Sequence, residues 1–309
     1  MIVQTGMRTD IPAFYTPWLL RRLADGNALV RNPYNHHAVT RYELSPRVVD
    51  ALIFCTKNPG PLLPHLATLA PFGQYWFVTI TPYGRDLEPN VPQWSDVAAL
   101  FRQLANVVGA ERVAWRYDPI VLTGVYDLAF HEQAFAAMAH ALHGYTRVCV
   151  ISFVDIYAKV RRNFPQARAV ELAAQERLAQ AFVRIGDQYG MTIRACAEGD
   201  HLARFGVDCK GCMTQAVYEA ALGYRLVLPR GLSLARKECA CVMGNDIGAY
   251  NSCPHLCRYC YANANVAQVR ANHARHNPAS PLLIGELGAE DVVRDARQES
   301  WRSLSYPMD

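Results

Sequence analysis

Short apolar runs rich in β-branched and aromatic residues recur along this chain, with longer helical patterns between them. The runs are Ile2–Gln4, Ala51–Cys55, Tyr75–Ile80, Val113–Arg116, Val148–Phe153 and Thr192–Cys196. Runs this short and this apolar suit strands buried on both faces. Between them, Asp96–Val107 sets Val97, Leu100, Phe101, Leu104 and Val107 at the spacing of one helix face. Residues 131–142 and 169–189 read the same way. Strands alternating with helices require a parallel sheet with helices outside it, either a barrel or an open α/β sheet.

Polar residues follow nearly every run. They include Arg8-Thr9-Asp10, Thr56-Lys57-Asn58, Thr79 with Thr81 and Tyr83, Arg116-Tyr117-Asp118, Ser152 with Asp155 and Tyr157, and Cys196 with Glu198. In parallel barrels the C-terminal strand ends build the site. Matching polar clusters would therefore converge on one mouth, which favours a partial or full parallel (β/α) barrel. The candidate substrate-handling groups are Lys57, Tyr83, Arg116, Asp118, Asp155, Tyr157 and Glu198. Arg116 and Lys57 suit a carboxylate or phosphate, although Arg116 and Asp118 are close enough in sequence to pair with each other.

The 309 residues are 51% hydrophobic and 19% charged, which allows a substantial core. The net charge of +4 is spread along the chain and gives little support for a nucleic-acid partner. No apolar run reaches the roughly 20 residues that span a bilayer, and the first residues, MIVQTGMRTD, lack a signal-peptide pattern. The expected location is the cytoplasm, where clustered thiols serve metals or redox chemistry more often than disulfides.

Eight of the ten cysteines lie between residues 196 and 260. Cys55 and Cys149 stand alone in apolar runs and read as core residues. The decisive string is Cys253-Pro-His-Leu-Cys257-Arg-Tyr-Cys260-Tyr-Ala-Asn263, with C-x3-C-x2-C spacing. Three thiolates so close can wrap one centre at small loop-closure cost. Soft thiolates select iron–sulfur clusters, zinc or copper(I). A cubane cluster usually takes four cysteines, so three leave one iron open to a ligand.

This string, with Tyr259 before its last cysteine, resembles the radical S-adenosylmethionine signature. The resemblance implies a 4Fe–4S cluster on Cys253, Cys257 and Cys260, with S-adenosylmethionine on the open iron. It further implies reductive cleavage to a 5′-deoxyadenosyl radical, an unknown substrate, and a reductant such as flavodoxin or ferredoxin. Tyr259, Asn263, Arg8 and Asp10 are the other candidate cofactor contacts. The motif normally follows the first barrel strand. Here it follows a strand expected near Asp246–Tyr250 and precedes a helix near Asn263–His276, which implies a circularly permuted barrel with the cluster strand last.

The whole chain is similar to one family, the domain of unknown function 1848. Arg8-Thr-Asp-Ile-Pro-Ala-Phe-Tyr15, Val30-Arg-Asn-Pro33, Thr56-Lys-Asn-Pro59, Trp115-Arg-Tyr-Asp-Pro119, Ser152-Phe153, Cys196-Ala-Glu198 and Asp246-Ile-Gly-Ala-Tyr250 carry the likeness up to the cysteine string. Cys260-Tyr-Ala also resembles spore photoproduct lyase over a short stretch. The Gly-Gly-Glu run that holds the cofactor amine in many radical enzymes is absent, with Gly285-Glu286 as a partial stand-in.

A second group comprises Cys196, Cys209, Cys212, Cys239 and Cys241. Cys209 to Cys212 is C-x2-C and Cys239 to Cys241 is C-x-C, two pairs able to supply four thiolates to one metal. Family likeness instead marks Cys196, Cys212, Cys239 and Cys241. The product is an auxiliary iron–sulfur cluster or a zinc site.

The expected organisation is one α/β barrel domain over residues 1–276, with a Cys-rich insertion at about 197–245 and the cluster loop at 253–260. The tail, 277–309, lies on the surface or packs as a strap. Two alternatives stand beside the radical enzyme: a non-catalytic zinc or iron–sulfur module with nucleic acid as a candidate partner, and photoproduct-lyase-like DNA repair.

Overall fold

The computed structural model describes residues 1–230, 234–236 and 239–307, without the side chains of 234–236, 239 and 304–307. Seven strands form one all-parallel sheet. They are β1 (Ile2–Gln4), β2 (Ala51–Thr56), β3 (Gly73–Thr79), β4 (Val113–Ile120), β5 (Val148–Phe153), β6 (Thr192–Ala195) and β7 (Asn245–Asp246). Their spatial order is β7-β1-β2-β3-β4-β5-β6, and every pairing between neighbours is parallel. The sheet does not close, because β7 and β6 are its two edges. Flanked by helices, it is consistent with a partial α/β barrel and not a full one.

The central strands are buried on both sides. Leu52, Ile53, Phe54, Trp76, Phe77, Val78, Ala114 and Trp115 are sealed from solvent, as continuous apolar runs require. Six helices are labelled in chain order: α1 (Thr16–Ala24), α2 (Trp94–Val108), α3 (Leu128–Leu142), α4 (Leu172–Gln188), α5 (Gln215–Leu222) and α6 (Val266–Ala274). Of the face expected on α2, Val97, Phe101 and Leu104 are buried, but Val107 is exposed at the frayed end of the stripe. On the outer layer Phe135 of α3 stacks on Phe182 of α4 with ring centroids 3.9 Å apart.

The insertion after β6 holds α5 and an antiparallel pair, Leu234–Arg236 with Cys239–Val242. The tail packs as a strap. Val292–Asp295 runs parallel to Ala38–Glu43, and Arg302–Pro307 runs antiparallel to Tyr224–Leu226. Trp301 donates its backbone N–H to buried Asp50 at 2.7 Å. Among the described residues no helix is long and apolar enough to cross a membrane.

One close approach sets the mouth of the sheet. Gly6 follows β1 where the chain passes β2, and a Cβ there would lie 2.1 Å from the Cys55 carbonyl oxygen. Only glycine lets the two strand ends come this near. That draws Arg8, Thr9 and Asp10 over the ends of the neighbouring strands.

Candidate functional site

A cavity of about 740 Å³ opens at the C-terminal strand ends, a size typical of small-molecule sites. Residues following all seven strands line it: Asp10 after β1, Lys57 after β2, Thr79 on β3, Asp118 on β4, Asp155 after β5, Glu198 after β6 and Tyr250 after β7. Cys253, Cys257, Tyr259 and Cys260 line it too, as do Cys196, Cys212 and Cys241 of the second group. The cysteine string at the far end of the sequence therefore faces polar groups from every strand.

The string is held by a frame of hydrogen bonds. Asp10 accepts from three donors: Ala13 N at 3.0 Å, Lys57 N at 2.7 Å and His255 Nε2 at 2.9 Å. It therefore ties the end of β1, the end of β2 and the cysteine loop together. On the other side, Asn90 Nδ2 donates to the Pro254 carbonyl at 2.8 Å, and Arg258 N donates to the Leu87 carbonyl at 2.9 Å. Asn263 Nδ2 donates to the Cys253 carbonyl at 2.9 Å.

Glu88 is the centre of a buried network. At 3% exposure, it accepts from Lys57 Nζ at 2.8 Å, from Thr81 Oγ1 at 2.6 Å and from the Tyr259 hydroxyl. Burial works to lower the Lys57 ammonium, but the nearby charges, Glu88 first among them, hold it above its usual value.

Arg116 pairs with Asp118, Nη2 to Oδ2 at 2.5 Å and Nε to Oδ2 at 2.9 Å. Ser152 also donates to Asp118. Burial alone would raise the Asp118 carboxyl, yet Arg116, Ser152 and Lys57 bring it below the usual range. The sequence neighbours thus do pair, and the pair still lines the cavity. Arg116 also points Nη1 at Cys212 Sγ, 3.7 Å away.

Four expectations need adjustment. Tyr83 does not line the cavity. Its hydroxyl donates to the Pro119 carbonyl at 2.7 Å and accepts Val121 N at 2.8 Å, which makes it a brace for the loop after β4. Asn263 also lies outside the lining, behind the loop it supports. Cys55 is not a plain core residue, because its half-buried side chain borders the cavity, and burial pushes its thiol up to about 12. Gly285 and Glu286 lie outside the cavity lining, Gly285 N donating instead to the Arg275 carbonyl. The remaining calls fall at the mouth. Arg8 lies over the Tyr250 ring at 5.5 Å, and Tyr157 donates to Asp155 Oδ2 at 2.7 Å. Glu198 accepts Phe153 N at 2.9 Å.

In the second group the Cys212 sulfur lies 3.5 Å from Cys196 Sγ and 3.8 Å from Cys241 Sγ. The edge of a tetrahedron of thiolates around one ion is about 3.8 Å, from bonds of roughly 2.3 Å. Met213 N donates to Cys241 Sγ at 3.2 Å. Cys209 stays outside the cavity, beside Asp208, so the C-x2-C pair does not act as one unit. The Cys239 side chain lies outside the described residues. Among those described, no three Cys, His, Asp or Glu side chains close around a single ion. A cubane is not held to that spacing, because its thiolates sit on separate irons at separate corners.

Backbone strain gathers at the same places. Among the described residues the non-glycines with positive φ are Ala197 (61°), Asn251 (58°) and Leu256 (59°). Each adjoins or lies within a cysteine segment. L-residues rarely adopt this conformation, and its concentration at one site is typical of functional loops. Burial raises the thiols of Cys253, Cys257 and Cys260. Metal binding must displace those protons. Thr9 Oγ1 and Asn263 Oδ1 are buried with no hydrogen-bond partner, and Thr9 lines the cavity. Orphaned polar atoms of this kind are uncommon; Gln4 Oε1 and Arg22 Nε are the others among the described residues.

The model of the family described as domain of unknown function (DUF1848) matches residues 2–262. The chain belongs to that family. The match takes in all seven strands and the cysteine string, and ends at Ala262, before α6. No curated protein matches the chain.

Behind the mouth, Asp246 is buried beside Arg8, its oxygens accepting Met7 N at 2.8 Å and Gly248 N at 2.9 Å. Burial outweighs these contacts and raises its carboxyl to about 6. A raised carboxyl favours the fold when protonated. Its contribution is full below the unfolded value near 4 and lost as pH rises through about 6. We expect stability to fall between pH 4 and pH 7 by up to roughly 3 kcal/mol from this group. Denaturant midpoints of the native protein and Asp246→Asn across that window check it. Parallel curves for the two would refute the assignment.

Proposed function

We propose that this chain is a radical S-adenosylmethionine enzyme. The observation that carries the reading is one cavity in which Cys253, Cys257 and Cys260 face polar side chains from every strand end, charged ones from five of the seven. When bound, a 4Fe–4S cluster with one open iron supplies reductive cleavage of S-adenosylmethionine, and hence a 5′-deoxyadenosyl radical that removes hydrogen from a substrate.

The residues present suit that group. One buried and two half-buried cysteines sit on a short loop with a fixed backbone. Thr9 and the backbone around Arg8 offer polar contacts to an amino-acid moiety. Lys57 and Glu88 position Tyr259 inside the motif. The sheet order supports a permuted barrel: β7, last in sequence, lies at the sheet edge next to β1 and delivers the chain to the cysteine loop. Cys196, Cys212 and Cys241 form the core of a second metal site, an auxiliary iron–sulfur cluster or zinc. A flavodoxin- or ferredoxin-type donor would supply the electron, and the reducing cytoplasm suits so many free thiols.

The test is product analysis. Protein purified without oxygen, supplied with dithionite and S-adenosylmethionine, is expected to be brown and to yield 5′-deoxyadenosine. Colourless protein holding only zinc, with no 5′-deoxyadenosine, would sink the reading.

A further inference from the structure

The cavity mouth carries an aromatic and cationic rim that the proposed chemistry does not use. Tyr157 and Tyr261 are 42% and 45% exposed, with ring centroids 6.4 Å apart. Tyr250 lies beside them, flanked by Lys159 at 5.1 Å and Arg8 at 5.5 Å from its ring. Tyrosine rings exposed in part beside a cavity offer faces on which a planar group can stack. Lys159 lies in the first turn of a short helix, Ala158–Asn163, that also presents Arg161 and Arg162 to solvent. Asn163 Nδ2 of that helix approaches the Asn263 carbonyl at 3.4 Å, so the helix packs against the end of the cysteine string.

The charge that reads as spread over the whole chain is one-sided in two stretches. Residues 156–170 and 247–285 carry seven of the 31 Lys and Arg and none of the 27 Asp and Glu. The rest of the chain has 24 cations against 27 anions, a net charge of −3. The excess positive charge of the protein therefore belongs to these two stretches. Among the described residues, no carboxylate lies within ion-pair distance of Lys159, Arg161 or Arg162. Elsewhere on the outer layer Arg177 pairs with Glu132 and Arg204 with Glu176.

We propose that the rim of Tyr157, Tyr261, Lys159, Arg161 and Arg162 docks single-stranded nucleic acid, presenting one nucleotide to the cavity. Stacking on tyrosine is sequence-tolerant, and unpaired cations beside it track phosphates. A free nucleotide would need only the charges at the lip. The four cations at 159, 161, 162 and 168 are more than one phosphate needs, which fits a chain of phosphates. The inference rests on the proposed reaction for its purpose, since it names that reaction's substrate class. The binding itself requires no turnover.

The experiment is fluorescence anisotropy of labelled dT12 and U12 with the full chain, at several salt concentrations. The native protein should bind, with a salt slope set by the phosphates it neutralises. Replacing Lys159, Arg161 and Arg162 together by Ala should weaken binding at least tenfold and lower the slope by about 2, at roughly 0.7 per phosphate contact. Tyr157→Ala and Tyr261→Ala should each weaken it roughly tenfold. Arg177→Ala, on the outer layer, should leave binding unchanged, and circular dichroism of each variant checks folding. No binding at low salt, or a charge-removed variant that binds as well as native, overturns the proposal. Full affinity in both tyrosine variants with loss only in the charge variant also overturns it, and assigns the face to an acidic protein such as an electron donor. Production of 5′-deoxyadenosine, measured separately, tells failure here from failure of the proposed reaction.

Discussion

Replacing Cys253, Cys257 and Cys260 together by Ala is expected to remove about four irons per chain, one cubane's content, and to abolish 5′-deoxyadenosine formation. The expectation follows from where the sulfurs sit. All three line the cavity, and the loop bearing them is fixed by Asp10, Asn90 and Asn263. Alanine is small and apolar, and it removes thiols that burial already keeps protonated, so the fold itself should survive the change. The variant also separates the two cysteine groups. Metal that remains belongs to Cys196, Cys212 and Cys241 with their partner, and its identity by elemental analysis decides between zinc and a second cluster. Loss of all metal would mean that the two groups load together. Unchanged iron in the triple variant would remove the basis for the radical reading.

Much of the fold was legible because buried parallel strands advertise themselves. Ile2–Gln4 and Val148–Phe153 appear in the structure with the bounds their apolar runs suggest, and the other four differ at their ends by one to four residues. The last strand was harder. A strand near Asp246–Tyr250 shrinks to Asn245–Asp246, because Gly248 N turns back to Asp246 Oδ1 at 2.9 Å. The side sheet of Asn27–Arg31, Ala38–Glu43 and Val292–Asp295 escaped notice. Its outer strand, exposed at three of its four residues, has little apolar signal, and its pairing spans the length of the chain.

The site shows the same division. Cysteine spacing and polar strand ends pointed to the lining, since both are local in sequence. Glu88 and His255 gave no such signal. Glu88 lies in a loop nine residues beyond the end of β3, and its importance comes from partners at 57, 81 and 259. His255 was visible inside the motif, but its partner Asp10 is 245 residues away. The spacing argument for Cys209 with Cys212 failed for a related reason. Proximity in sequence brought two thiols near, yet the backbone turns at Gly211 (φ 112°), against the Cys241 sulfur, and Cys209 is left on the outside.

Glu88→Ala is expected to produce the largest loss of stability of any single change at the mouth. The carboxylate serves three donors, and its removal leaves the Lys57 ammonium buried without its ion partner. Breaking a buried pair in this way costs about 3–5 kcal/mol. The pH dependence carries the sign of the interaction. In the native protein Lys57 is held above its usual value, so the stabilisation is complete at neutral pH, persists below the unfolded value near 10.4, and fades as pH rises through the folded value. Without Glu88, burial dominates and Lys57 titrates early. The gap between variant and native should therefore narrow from pH 7 to pH 10, where the lone lysine sheds its proton. Removing the charge as well, with Lys57→Met on the Glu88→Ala background, should recover part of the loss, because the cost lies in the orphaned ammonium and not in missing volume. Denaturant midpoints for the two single variants and the double variant form the cycle. Losses that simply add, with the double variant as unstable as the sum, would mean that Glu88 and Lys57 act independently. Tyr259 would then owe its place beside Cys257 and Cys260 to packing against Tyr83, 5.8 Å away between ring centroids, and not to the buried charge.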